Sequence, residues 1–66
     1  MTAFFLNGQA TKTACLNLLQ LVQSLGLENK RFAVEYNEMI IPKSRLESTT
    51  ISPQDRIEII HAVGGG

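Results

Sequence analysis

Several residue types are scarce in this chain of 66 residues, and each scarcity excludes a class of protein. Cys15 is the single cysteine, so neither an internal disulfide nor a cysteine metal cluster is possible within the chain. A reducing compartment, the cytoplasm, is therefore expected. The six basic residues equal the six acidic ones. This balance argues against nucleic-acid binding, because nucleic-acid-binding proteins normally carry a basic excess or stripe.

Long apolar runs are also missing. No segment approaches the roughly 20 apolar residues that a membrane-spanning helix needs, so no membrane association is predicted. The first residues lack the basic and apolar regions of a signal peptide. A chain this short forms one domain at most and buries only about 60% of its unfolded surface. It has no room for a deep active-site cavity beside a core, which argues against an enzyme.

Catalytic residue patterns are sparse as well. His61 is the only histidine, and no cysteine, serine or carboxylate stands at a telling spacing from it. The acidic residues are scattered, whereas catalysis by paired carboxylates needs a cleft that perturbs their pKa values. Asn7-Gly8 is a turn signal rather than a phosphate-binding loop. No catalytic residue and no metal ligand is predicted.

The most informative feature that is present is the carboxyl end, Val63-Gly64-Gly65-Gly66. Consecutive glycines form a thin, flexible thread that the walls of another protein can approach closely. Residues 62–66 would span roughly 16 Å if fully extended. The thread is either a reactive carboxylate presented to an enzyme, or a frayed terminus or cloning remnant. The glycines alone favour the second interpretation.

Alternating and aromatic-rich segments predict strands at 2–6, 9–12, 31–36, 39–41 and 56–63. Asn7-Gly8 is a strong hairpin signal, and Asn37-Glu38 is expected to form a second tight turn. Pro42 ends the short strand before it, because proline donates no ladder hydrogen bond. Residues 43–50 are expected to be irregular or one helical turn, and 52–55 a turn.

Residues 14–25 show the period of an amphipathic helix. Its apolar stripe is predicted to contain Cys15, Leu18, Leu19, Val22 and Leu25. Thr13 is the expected N-cap, and Gly26 is expected to end the helix. Leu16 and Leu21 point off the sides of the stripe, where we expect partial exposure. Cys15 is interpreted as a small buried apolar residue.

A single helix covers only one face of the sheet. By strand alternation, the covered face should hold Phe4, Leu6, Val34, Tyr36, Ile57 and Ile59. The opposite face, called the open face below, should hold Phe5, Ala33, Ile60 and Ala62. An exposed apolar patch usually marks a partner site, although scattered apolar surface residues are normal. The adjoining glycine tail makes docking the better interpretation.

Several segments together resemble one family. They are Phe5-Leu6-Asn7-Gly8, Ala33-Val34-Glu35-Tyr36-Asn37-Glu38, Ile40-Ile41-Pro42-Lys43, Asp55-Arg56-Ile57-Glu58-Ile59-Ile60 and the final His61-Ala62-Val63-Gly64-Gly65-Gly66. Their order, their spacing and the glycine end resemble the sulfur carriers of the ThiS type in thiamin biosynthesis. The resemblance covers nearly the whole chain. It implies the α+β, ubiquitin-like β-grasp fold, with a mixed sheet of about five strands on one main helix. Residues 1–63 would form the domain and 64–66 a flexible tail.

The resemblance also implies a function. A ThiF-type adenylating enzyme would couple the Gly66 carboxylate to AMP, and sulfur from a cysteine desulfurase pathway would convert it to a thiocarboxylate. Thiazole synthase (ThiG) would then use that sulfur. Gly64 and Gly65 would form the tail, and Phe5, Ile60, Ala62 and Val63 would contact the partner. The chain itself would be a carrier without a cofactor.

Three alternatives remain open on the sequence. The small subunit of molybdopterin synthase shares the fold and a Gly-Gly end, although those chains run somewhat longer. A ubiquitin-like modifier would form isopeptide bonds through the same terminus. A plain interaction module would carry an inert tail.

Overall fold

The computed structural model describes residues 1–62. Its elements are β1 (Thr2–Leu6), β2 (Gln9–Thr13), α1 (Leu18–Ser24), β3 (Phe32–Tyr36), β4 (Met39–Ile41), a 3₁₀ turn (Lys43–Arg45) and β5 (Arg56–His61). The strands form one sheet in the order β2-β1-β5-β3-β4. All neighbours are antiparallel except β1 and β5, which are parallel. The predicted mixed five-stranded sheet with one main helix is therefore confirmed.

Both predicted hairpin turns are present. Asn7 and Gly8 have φ values of 50° and 81°, and Asn37 and Glu38 have values of 50° and 71°. Positive φ at both central residues is the geometry of a type I′ turn, whose twist matches that of the flanking strands. A two-residue turn fixes the register of each hairpin, so Leu6 pairs with Gln9 and Tyr36 with Met39.

The covered face of the sheet packs on the helix as predicted. Phe4, Val34, Ile57 and Ile59 are buried, while Leu6 and Tyr36 are partly buried against them. The helix contributes Leu18, Leu21 and Val22, and the remaining buried apolar residues are Leu27, Leu46 and Ile51. The core is thus one cluster between the helix and one face of the sheet.

The helix begins later than the sequence predicted. Its N-cap is Asn17 and not Thr13, because the Asn17 side chain accepts a hydrogen bond from the Gln20 N–H at 2.8 Å. The segment 46–51 also holds the residues before and at the helix start. Leu18 N–H donates to the Thr49 carbonyl at 3.1 Å, and the Leu16 carbonyl accepts from Ile51 N–H at 3.0 Å. Residues 14–17 therefore precede the helix and are not part of it.

This shift moves the buried face of the helix. Leu21, predicted to be partly exposed, is only 3% exposed, whereas Leu25, predicted on the stripe, is 44% exposed. Leu16 is exposed as expected, and Cys15 is half-buried beside the core in the segment before the helix. With Leu18 as the first helical residue, the buried side chains lie at 18, 21 and 22, spacings of three and four that share one face.

Gly26 ends the helix as predicted. Its φ is +73°, and its N–H donates to the Gln23 carbonyl at 3.0 Å. Leu27 N–H donates to the Val22 carbonyl at 3.1 Å. These two bonds form a Schellman motif. Leu27 is buried against the core as the apolar residue of that motif.

Candidate functional site

Strand β5 lies at the centre of the sheet and leads to the carboxyl end of the chain. It pairs with β1 on one side and with β3 on the other. Beyond His61, where β5 ends, the Ala62 N–H still donates to the Arg31 carbonyl at 3.0 Å. The backbone is therefore held beside β3 as far as Ala62. The predicted site residues Val63, Gly64, Gly65 and Gly66 lie outside the described residues.

The turn residue Asn7 extends the pairing of β1 with β5. Its N–H donates to the Ile57 carbonyl at 2.9 Å. Its side-chain oxygen accepts from the Ile59 N–H at 2.8 Å, and its side-chain nitrogen lies 3.4 Å from the Ile59 carbonyl. The side-chain amide thus takes the place of a backbone peptide group beside β5. The Asn7 side chain therefore holds β5 at Ile59, two residues before the strand ends at His61.

A second asparagine holds the beginning of β5 from the other side. The Asn37 N–H donates to the Arg56 carbonyl, and the Arg56 N–H donates to the Asn37 side-chain oxygen, both at 2.8 Å. The Asn37 side-chain nitrogen donates to the Asp55 carboxylate at 3.1 Å. The Ser52 N–H donates to the other carboxylate oxygen at 2.8 Å. Both ends of β5 are therefore tied to hairpin turns.

Among residues 1–62, Asp55 is the one charged residue that is buried, with 9% of its surface exposed. Burial alone raises the pKa of the Asp55 carboxyl group. Hydrogen bonds from the Tyr36 hydroxyl, the Ser52 N–H and the Asn37 amide outweigh burial and hold that pKa below its usual value. The contact with Asp55, together with burial, raises the pKa of Tyr36. The Tyr36 hydroxyl donates its hydrogen bond to the Thr50 carbonyl at 3.0 Å.

Among the predicted docking residues, Ile60 and Ala62 lie together on the open face. Ile60 is directly opposite Ala33 on β3, and 66% of its surface is exposed. Ala33 and Ala62 are exposed as well. These three residues form an apolar surface at the end of β5 from which the chain continues to the glycines.

Phe5 shares the open face but lies away from Ile60. It pairs with Arg56, four residues earlier on β5, a separation of roughly 13 Å along the strand. The Phe5 ring is half-buried, and the Arg56 guanidinium lies over it at 5.3 Å from the ring centroid. A recess of about 390 Å³ adjoins the ring and is lined in part by Ala3, Ala10 and Lys12. The open face therefore has two separate apolar areas.

Three residues of the open face were not predicted from the sequence. They are Ile40, Glu35 and Glu58. Ile40 on β4 is 73% exposed and pairs with Glu35 on β3, which in turn pairs with Glu58 on β5. The signal for Ile40 was available, because a two-residue turn at Asn37-Glu38 makes residues 35 and 40 partners. The pairing of Glu35 with Glu58 depends on a register between distant segments, which local pattern does not give.

The described residues offer no grouping for metal chemistry. Within residues 1–62, no cluster of three histidine, cysteine, aspartate or glutamate side chains could hold a metal ion. His61 is exposed at the end of β5, with its Nδ1 3.3 Å from the Ala62 carbonyl oxygen. The part of the chain in this structure contains no helix with the length and apolarity to cross a membrane.

Comparison with known proteins identifies one family model, two relatives and one solved structure. The model of the ThiS family matches residues 4–66. The chain is 48% identical over 46 residues to sulfur carrier protein ThiS of Bacillus subtilis, covering 70% of each chain. It is 32% identical over 62 residues to a thiazole synthase of Paramagnetospirillum magneticum, a match to 92% of this chain and 19% of that protein. A solved structure of ThiS from Geobacter metallireducens superposes with a TM-score of 0.80, covering 98% of this chain and 100% of that one. At 23% identity, that structure supports the shared fold alone.

Proposed function

The chain belongs to the ThiS family, as its sequence predicted, and from this premise we propose that it is a sulfur carrier in thiamin biosynthesis. The sulfur is carried on the carboxyl group of Gly66. The observation that carries the proposal is the family match, which extends through Gly66 and so includes the whole glycine run.

The chemistry requires activation of a carboxylate. A carboxylate is a poor electrophile, and a ThiF-type adenylating enzyme makes it reactive by forming a mixed anhydride with AMP and releasing pyrophosphate from ATP. The terminal sulfur of a persulfide displaces AMP and forms an acyl disulfide. Reduction of its S–S bond by a thiol leaves the thiocarboxylate on Gly66. ATP and any metal ion belong to the partner enzymes, and this chain is the substrate of the reaction.

The architecture suits a carrier. Strand β5 is hydrogen-bonded on both sides, by Asn7 and by Asn37, and it leads directly toward the glycines. A rigid strand fixes the place from which the tail leaves the domain. Glycine at positions 64–66 removes the Cβ atoms that would crowd a narrow enzyme channel.

The open face is the proposed docking surface for the two partner enzymes. Ile60 and Ala62 lie at the end of β5, four to six residues before the terminal glycine, so a partner that binds the tail has them close to its contact. Val63 would extend this contact, and Phe5 would contact the partner at the far end of β5. Thiazole synthase is favoured as one partner because a protein of that name contains a segment similar to this chain.

Intact-mass spectrometry tests the proposed function. The chain is incubated with ATP, magnesium, a persulfide source and the adenylating enzyme of the same organism. We expect a mass increase equal to the replacement of one oxygen by one sulfur. A variant lacking Gly66 and a variant extended by one alanine are expected to melt like the original chain but to gain no mass.

Two outcomes would contradict the carrier function. One is the same mass gain in the variant that lacks Gly66. The other is conversion of the chain into conjugates with other proteins, the product expected of a modifier.

A further inference from the structure

Two glutamates face each other at the centre of the open face. Glu35 on β3 and Glu58 on β5 are direct cross-strand partners in the antiparallel register. Side chains in such positions have Cβ atoms about 4.5–5.5 Å apart, and like charges there destabilise the sheet. Glu35 is half-buried and Glu58 is exposed, so water screens the charge of Glu35 less than that of Glu58. The fold therefore keeps an unfavourable pair in its central strands.

The described residues do not compensate this pair. Within residues 1–62, the carboxylates that accept hydrogen bonds are those of Glu28 and Asp55. Arg56 precedes Glu58 by two positions on the same face, but its guanidinium lies over the Phe5 ring at 5.3 Å. Phe5 is on β1, on the opposite side of β5 from Glu35. The guanidinium nearest in sequence to Glu58 is thus held over the Phe5 ring.

Exposed apolar side chains surround the same pair. Ile40 is the cross-strand neighbour of Glu35 on β4, and the next row of the face contains Ala33 and Ile60. Ile40 and Ile60 are 73% and 66% exposed. A partner that covers these isoleucines also removes water from the carboxylates between them. Burial of an unpaired charge is costly, so the covering surface must supply a cation at that point.

We infer that Glu35 and Glu58 receive a basic side chain of thiazole synthase when its apolar surface covers Ile40 and Ile60. This inference rests on the proposed function and specifies its docking contact. Arginine fits best, because its planar guanidinium presents several donors in a fork and can bind both carboxylates. The pair then selects a partner with a basic centre and rejects a purely apolar surface.

The inference predicts opposite effects on folding and on binding. Glu35→Gln or Glu58→Gln removes the like-charge repulsion with little change in side-chain shape, so the melting temperature should rise slightly. The same variants should bind thiazole synthase of the same organism roughly thirtyfold more weakly or worse, the loss expected when one member of a buried charge pair is removed. Added salt should weaken binding of the original chain more than that of either variant.

Calorimetry with purified thiazole synthase measures these affinities, and thermal unfolding measures stability. Glu47→Gln is the matched control, because Glu47 is exposed outside the sheet and its replacement should leave the affinity unchanged. Glu58→Lys forms a favourable cross-strand pair with Glu35, so it should fold at least as well as the original chain. It should lose binding more completely than Glu58→Gln.

The possible outcomes separate this inference from the carrier function. Unchanged affinity in both glutamine variants, or no binding by the original chain, would overturn the acidic-pair contact. Self-association of the chain that Glu58→Lys abolishes would assign the face to a second copy and would also overturn it. Failure of the original chain to gain sulfur in the mass experiment would overturn the carrier function instead.

Discussion

The two hairpins of the sheet use the same turn but hold the central strand in different ways. The first hairpin turns at Asn7-Gly8 and the second at Asn37-Glu38, and both asparagines have a φ of 50°. In each turn the asparagine side-chain oxygen accepts a hydrogen bond from a backbone N–H of β5 at 2.8 Å. The two turns therefore secure β5 from opposite sides, one near its beginning and one near its end.

The second bond of each asparagine amide differs. The Asn7 nitrogen lies 3.4 Å from the Ile59 carbonyl, so its partner is again the neutral backbone of β5. The Asn37 nitrogen donates to the buried Asp55 carboxylate at 3.1 Å. The first hairpin thus extends a strand pairing, whereas the second also stabilises a buried charge. An identical residue in an identical turn should therefore contribute differently to stability.

The largest expected effect tests this difference directly. Glycine tolerates the turn conformation, so Asn7→Gly and Asn37→Gly remove the side-chain hydrogen bonds and leave the backbone geometry in place. Asn37→Gly should cost about 2–3 kcal/mol, because it removes one hydrogen bond to the buried Asp55 carboxylate and the acceptor of the Arg56 N–H, and Asn7→Gly should cost about 1 kcal/mol. Equilibrium unfolding in urea measures both free energies. Equal losses would show that the charged acceptor adds nothing to the second hairpin.

A smaller effect comes from the second residue of each turn. Glu38 has a φ of 71°, a conformation that costs side-chain-bearing residues about 1–2 kcal/mol. Glu38→Gly relieves this cost but increases the entropy of the unfolded chain by an amount worth about 0.5–1 kcal/mol. The net change expected in the free energy of unfolding is therefore a gain between about 0 and 1.5 kcal/mol.

Gly8→Ala is the reciprocal control for that prediction. A Cβ at Gly8 would meet no atom within 4 Å, so any loss arises from its φ of +81° and not from a clash. Unfolding in urea should show a loss of about 1 kcal/mol. If Glu38→Gly destabilised the domain instead, the two turns would not be equivalent in backbone strain.

The hairpins were predictable because their signals are local. Asn7-Gly8 and Asn37-Glu38 stand between alternating segments, and alternation assigned Phe5, Ile60 and Ala62 to the open face. The start of the helix was not predictable in the same way. Thr13 and Asn17 are both good cap residues, and the choice is made by hydrogen bonds from the segment 46–51, which is distant in sequence.

The site was predictable in its apolar part and not in its charged part. Position along β5 suffices to place Ile60 on the open face. The facing of Glu35 and Glu58 requires the register between β3 and β5, which are joined through β4 and the long connection that follows it. Alternation gives the face of each residue but not its partner on the next strand.

The smallest expected effect concerns pH and also separates the two hairpins. Because the folded pKa of Asp55 is lowered, its ionisation contributes stability above the unfolded pKa of about 3.9, and this contribution is lost as the pH falls through the folded pKa. The effect should be modest because burial opposes the hydrogen bonds. Asp55→Asn should flatten the acid side of a plot of unfolding free energy against pH, and Asn37→Gly should partly flatten it. Asn7→Gly should lower the whole curve without changing its slope, since its partners carry no charge. If Asp55→Asn left the acid slope unaltered, the Asp55 charge would not explain the difference between the two hairpins.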